Sequence, residues 1–353
     1  MRNLPQHFGR LWSALTWQRF GSSAQMTDER EESSNALFRI HPKRPRVPAL
    51  HIGSALVVAS LLSASALASD IIIAAGAPGD EEFGAIFEEQ ITDWKNAAPS
   101  AVVVRDLNTF RASLKDEISK EVPTQLWIVL IGHGTFDQRA AKFNFAGDDL
   151  SAADLGNMIK EAKRPLIIIN TTAASAPFLQ KLSAPNRILI TATKSGAEES
   201  YAHFGEYFSK AFTATKEADI DSDGGISLLE AFLFASNEVA KFFDTQGRIA
   251  TEQALIDDNG DKMGTPAKFF RGVRAIKDAK SGAKADGLRA NQIYLVPSPA
   301  EALLTDEQKA ERDAIEMKVF ALREKKSSMD EKDYYTELEK LMLQLAKIYH
   351  SDN

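Results

Sequence analysis

Twelve consecutive residues, Asp219 to Glu230, read Asp-Ile-Asp-Ser-Asp-Gly-Gly-Ile-Ser-Leu-Leu-Glu. Carboxylates at the first, third and fifth places supply oxygens to a hard cation. Gly224, sixth, permits the sharp turn that brings later ligands round. Gly225 offers its backbone carbonyl, Ser227 acts through a water, and Glu230 closes the set with two oxygens. Ile226 falls where such a loop needs an apolar anchor. The expected ion is calcium, Ca2+, held by Asp219, Asp221, Asp223, Gly225, Ser227 and Glu230.

The twelve positions match the EF-hand template, and only one such loop is legible. A second acidic stretch, Asp257-Asp258-Asn259-Gly260-Asp261, lacks the turn glycine after Asp261 and a closing acid. It reads first as a polar turn and second as another ion site. A different chemistry is suggested by His133-Gly134 and by Asn170-Thr171-Thr172-Ala173-Ala174-Ser175-Ala176. Each follows an apolar run, and a histidine beside a nucleophile is the arrangement of covalent catalysis.

Strands alternating with amphipathic helices must position these groups. Short apolar runs at 70–75, 101–104, 125–131, 165–170 and 187–193 predict strands. Helical spacing appears at 81–97, 108–119 and 150–162, the last with Ser151 and Asp154 placed as a capping pair. Such alternation predicts an α/β fold with a parallel-dominated sheet covered by helices on both faces. His133 and the 170–176 run then fall at the carboxyl ends of neighbouring strands, where ligands gather in such sheets. A helix over 200–213 enters the 219–230 loop and one over 228–243 leaves it. A last strand is expected within 292–296. Two charged helices, broken near Ser327-Ser328, form a C-terminal hairpin. Its stripes (Ile315, Val319, Leu322; Tyr334, Leu338, Leu341, Leu345, Ile348) are expected to pack on the main domain in preference to forming a partner surface.

In this region the chain resembles the legumain family of cysteine peptidases, within the caspase-like clan. Ile131-Gly132-His133-Gly134 resembles the clan's strand followed by His-Gly. Residues 166–177 are similar to its next strand, which ends in Cys-x-Ser-Gly. Ile190-Thr191-Ala192-Thr193 with Glu199-Ser200-Tyr201-Ala202 resembles the segment that follows. The likeness covers residues 70–215 and implies a caspase-like fold, with His133 as base and the Gly134 amide as oxyanion donor. Ala173 falls where the family has its cysteine and Ala176 where it has glycine; Ser175 matches the family's serine, which is not its nucleophile. The chain has no cysteine, so ordinary cysteine-peptidase chemistry is excluded. His203 and His350 show no partner spacing.

The first 68 residues read as a leader. A basic run over 41–46 precedes an apolar run over 55–62 and the small residues Ala66-Leu67-Ala68, the order of a secretory signal peptide cleaved after Ala68. The apolar run is short for a membrane span, so no stable span is expected after cleavage. About forty residues precede the basic run, so Met26 or a later start stands as an alternative beginning. Removing residues 1–68 takes away eight Lys/Arg and four Asp/Glu, leaving 34 basic and 45 acidic residues, a net charge of −11. That argues against nucleic acid as a partner and suits an exported protein. The expected division is a leader (1–68), a legumain-like α/β domain (69–215), the calcium loop with its following helix and completion of the domain (216–296), and the hairpin (300–353). The leading expectation is an exported calcium-binding protein that has lost peptidase activity and binds a peptide or protein in the former cleft. Its rivals are an exported hydrolase using a Ser or Thr hydroxyl with His133, and a calcium-braced structural module.

Overall fold

The computed structural model describes residues 70–196, 201–277 and 285–349. The signal segment, its cleavage point, Glu199, Ser200 and His350 lie outside these residues.

Five elements, three strands alternating with two helices, open the described chain. They are β1 (Asp70–Ala75), α1 (Glu81–Ala97), β2 (Val102–Val104), α2 (Leu107–Ile118) and β3 (Leu126–Ile131), followed by a small three-stranded meander, β4 (Gly134–Phe136), β5 (Ala141–Phe143) and β6 (Leu150–Ser151). Next come α3 (Ala152–Met158), β7 (Leu166–Asn170), α4 (Ala176–Leu182), β8 (Arg187–Thr191), α5 (Phe204–Ala211) and α6 (Thr215–Ala218). The chain continues through β9 (Ile226–Ser227), α7 (Leu228–Thr245), β10 (Leu255–Asp257), β11 (Thr265–Pro266), β12 (Phe270–Arg271) and β13 (Arg274–Ala275). It ends with α8 (Leu288–Asn291), β14 (Tyr294–Val296), α9 (Asp306–Glu324) and α10 (Glu331–Tyr349).

The central sheet has seven strands in the order β2-β1-β3-β7-β8-β10-β11. The first five run parallel. β10 and β11 are antiparallel additions at one edge. Alternate residues of the parallel strands feed two cores. Ile71, Ile73, Val129 and Ile169 pack with Phe87 and Trp94 of α1, Phe208 of α5 and Phe232 of α7. Ile72, Ile128, Leu130 and Ile168 pack with Phe110 of α2, Leu155 of α3 and Phe178 of α4. The fold is therefore α/β with helices on both faces, because strands buried on both sides are apolar at every position. Each such side chain contributes about 1.5–3 kcal/mol by leaving water.

Local chemistry sets the helix starts. Asp80 accepts from the Phe83 amide at 2.9 Å and Asp106 from the Thr109 amide at 2.9 Å, each capping the first turn. The expected helix over 150–162 is shorter, because Leu150 and Ser151 pair with β5 before Ser151 caps α3. The expected helix before the acidic loop is divided into α5 and the one-turn α6. At the amino ends of β1, β3 and β7, buried Arg164 meets Asp70 at 2.7 Å, Glu117 at 3.1 Å and the Thr124 carbonyl at 2.9 Å.

The C-terminal hairpin corrects one expectation. Ile315, Val319, Leu322, Tyr334, Leu341, Leu345 and Ile348 form a cluster between α9 and α10, separate from both sheet cores. The stripes face each other, so the link to the rest of the body is polar. Buried Arg312 is ion-paired with Glu301 and donates to the Gln292 carbonyl at 3.2 Å. Among the described residues, no helix is long and apolar enough to cross a membrane.

Candidate functional site

The 219–230 loop joins α6 to α7. Ser227 caps α7, and its partner in the capping box is Glu230: the Ser227 hydroxyl and amide both donate to Glu230 Oε2, at 2.8 and 2.9 Å. Glu230 Oε1 accepts the amides of Ile220 at 2.8 Å and Asp221 at 3.2 Å, folding the start of the loop back onto its end. Gly224 has φ +84°, a left-handed turn that favours glycine. The following strand β9 pairs with β14, Ser227 opposite Tyr294 and Ile226 opposite Val296. A side chain at position 225 would meet the Ser298 amide at 2.8 Å, so the backbone approach there suits glycine.

This folding brings Asp219, Asp221 and Asp223 together, each offering an oxygen within 4.8 Å of the others. Backbone amides aim at them: Asp223 and Gly224 onto Asp219 at 3.1 and 3.0 Å, and Gly225 onto Asp223 at 2.8 Å. The Tyr294 hydroxyl donates to Asp223 at 2.9 Å. Burial raises the Glu230 carboxyl above its ordinary range, partly countered by the bonds from Ser227. Three converging carboxylates fit a hard cation. Glu230 lies at the loop's end with both oxygens engaged by amides and by Ser227.

The second acidic stretch is arranged differently. Asp257, at the end of β10, accepts the Ser183 hydroxyl at 2.6 Å and the amides of Gly260 and Lys262 at 2.8 and 3.1 Å. It closes a turn. Buried Asp258 receives the Ala290 amide at 3.0 Å, and Asp286 receives the Asp258 amide at 3.0 Å and the Thr265 hydroxyl at 2.6 Å. Burial, then the nearby Asp258 charge, pushes Asp286 up to about 8. The sequence reading did not single out Asp286; it stands in a short Ala-Asp-Gly run with no spacing to mark it.

His133 follows β3 at the point where strand order reverses between β1 and β3. The two strand ends approach closely: a Cβ on Gly132 would lie 3.0 Å from the Gly76 Cα. The His133 Nε2 lies 3.0 Å from the Pro78 carbonyl. A carbonyl only accepts, so that nitrogen carries hydrogen. Phe83, Phe87 and Tyr201 surround the ring at 4.7, 5.3 and 6.2 Å. Gly134 begins β4, opposite Phe143. A side chain there would strike Thr172 Oγ1 at 2.6 Å.

The hydroxyls of the neighbouring strand end are engaged elsewhere or sealed in. Fully buried Ser175 meets Thr193 Oγ1 at 3.1 Å and accepts the Thr193 amide at 3.1 Å. Thr171 donates to the Leu130 carbonyl at 2.8 Å. Thr172 Oγ1 is buried with no hydrogen bond. Among the described residues none of these hydroxyls is bonded to His133. Ala173 is half-buried at the same strand end, and its carbonyl accepts from Thr193 at 2.9 Å.

Two further groups escaped the sequence reading. His203, which shows no obvious partner spacing, meets Glu206 at 2.9 Å three residues on; that bond chiefly raises its pKa. The helical interval of three was the available signal. Glu252, only 7 % exposed, takes the amides of His203 and Phe204 at 2.8 and 3.3 Å on Oε2. It comes from an irregular segment, where no periodicity marks burial. No protein-family model matches the chain, and no curated protein matches it.

Proposed function

We propose that this chain is an exported, calcium-binding protein on a legumain-like frame, which binds a peptide or protein partner without cleaving it. The observation that carries the calcium reading is the convergence of Asp219, Asp221 and Asp223 within a loop already turned by its own amides. These three would hold the ion; Glu230, whose oxygens are taken by the amides of Ile220, Asp221 and Ser227 and by the Ser227 hydroxyl, would have to release them to join the Gly225 carbonyl and a water on Ser227 in the set. Calcium supplies charge neutralisation there. It ties α7 to β14 through β9 and Tyr294, which supports a bracing role rather than a switch. Resemblance supplies the legumain-like part of the reading, and the order of basic, apolar and small residues before Ser69 supplies the export part.

Loss of cleavage rests on Ala173 at the nucleophile position and on the engagement of Ser175 by Thr193. A methyl group cannot attack a carbonyl, and a sealed hydroxyl cannot reach one. Calorimetric titration with calcium tests the first half: one ion is expected, with Asp221→Asn weakening it at least about tenfold. No heat of binding in the unaltered protein removes the calcium reading. Peptides ending in Asn, Asp, Lys or Arg at the scissile bond test the second half. Turnover that disappears in His133→Ala would replace this reading by the hydroxyl hydrolase.

A further inference from the structure

A cavity of about 520 Å³ lies between α7, the segment before β10, and β11 and β12 at the antiparallel edge of the sheet. Its walls are mainly apolar: Leu233, Val239 and Ala240 of α7, Phe204 of α5, Ala254 before β10, and Phe270 of β12. That volume falls within the ordinary range for small-molecule sites, roughly 300–1,000 Å³. One ionisable group stands in the wall with little access to water. Glu252 is 7 % exposed, and its Oε2 is taken by the amides of His203 and Phe204. Its Oε1 carries no hydrogen bond among the described residues.

We infer that this cavity is a binding site for a small molecule with an apolar body and one protonated amine, the amine pairing with Glu252 Oε1. Glu252 Oε1 is not among the sealed, unpartnered polar atoms, so this oxygen is open to a donor entering from outside, while the apolar wall strengthens any charge pair formed there. An opposite charge is the donor that gains most from it. The anionic form already has two amide donors holding one oxygen, so the geometry orients the other. Burial raises Glu252 to about 7, partly opposed by the charge of His203. A cation at Oε1 would draw it back toward the ionised form. The exposed Lys268 stands at the rim, where it disfavours a second positive charge on the ligand. Ile220 of the 219–230 loop also lines the cavity, so the titrations are made at one fixed calcium concentration.

Three probes of one shape decide it: 2-phenylethylamine, 2-phenylethanol and phenylacetate, titrated by calorimetry into the purified chain at neutral pH. The amine is expected to bind at least about tenfold more tightly than the alcohol, and the carboxylate least. Glu252→Gln keeps an oxygen for the two amides and should bring the amine to within about threefold of the alcohol. Ala240→Trp, at an exposed position of α7 on the cavity wall, should abolish binding of all three while the fold is retained. Equal affinity for amine and alcohol overturns the inference, as does absence of amine binding at about 10 mM or amine binding that survives Ala240→Trp.

Discussion

Two acidic stretches, 219–230 and 257–261 with Asp286, use the same residue type and reach opposite electrostatic solutions. In the first, three aspartates, the middle one buried, turn their oxygens toward one another. In the second, Asp257 is spent on a turn, while Asp258 and Asp286 are buried and each accept separate donors. Converging carboxylates call for a cation; buried neighbouring carboxylates keep a proton instead. Direction of the side chains, not the density of acids, separates an ion site from a proton-holding pair.

The sharpest way to break this contrast is by pH. An unfolded aspartic acid releases its proton near 3.9, whereas Asp286 holds it to about 8. Between those values the unfolded chain binds fewer protons, so stability falls as pH rises; below them the contribution is full. The slope is roughly 1.4 kcal/mol per pH unit for one proton. Chemical denaturation at pH 6 and pH 8 should therefore show a loss of about 2–3 kcal/mol from Asp286 on top of a smaller loss from Glu252, and Asp286→Asn should remove the larger part. A loss unchanged by that substitution would place the titrating group elsewhere.

If the proposed calcium site fills, its effect is the next largest. A ligand at one hundred times its dissociation constant stabilises by about 2.7 kcal/mol. Thermal melts in calcium and in chelator should differ by several degrees, with Glu230→Gln collapsing the difference and Asp286→Asn leaving it intact. Coincident melts of the unaltered protein would make both stretches ion-free. Asp257→Ala should then cost about 1–3 kcal/mol by leaving the Gly260 and Lys262 amides and the Ser183 hydroxyl without their acceptor. Its calcium response should be unaltered, because this acid belongs to the turn.

The smallest expected effects lie at the His133 corner. Ser175→Ala leaves the Thr193 amide without an acceptor and should cost about 1 kcal/mol in denaturant midpoint, with no change in peptide turnover. Ala173→Cys carries the opposite expectation: little change in stability, and a thiol whose alkylation rate falls when His133→Ala is added. Equal alkylation rates would separate Ala173 from His133 in space.

The acidic loop was legible because its chemistry is local. Six spaced positions within twelve residues, one turn glycine and one capping box fix the geometry over a span that the backbone itself determines. The parallel strands were legible for a related reason: burial on both faces leaves an apolar run such as Leu126–Ile131, and the amphipathic helix Glu81–Ala97 keeps its period. The division of the helix before the loop and the shortening at Leu150–Ser151 were less legible, since pairing partners far along the chain decided them.

The missing thiol, the spacing of acids within residues 219–230, the alternating α/β order and the place of His133 after a buried strand are all written along the chain. Only the tertiary structure decided which hydroxyls are spent, that β10 and β11 extend the sheet antiparallel, that the hairpin stripes face each other, and that Glu252 and Asp286 are buried. The physical reason is range. Ligand spacing and amphipathic period are written within a few turns of chain, whereas the environment of a carboxyl or hydroxyl is set by segments as far apart as Ser175 and Thr193, or Asp258 and Asp286.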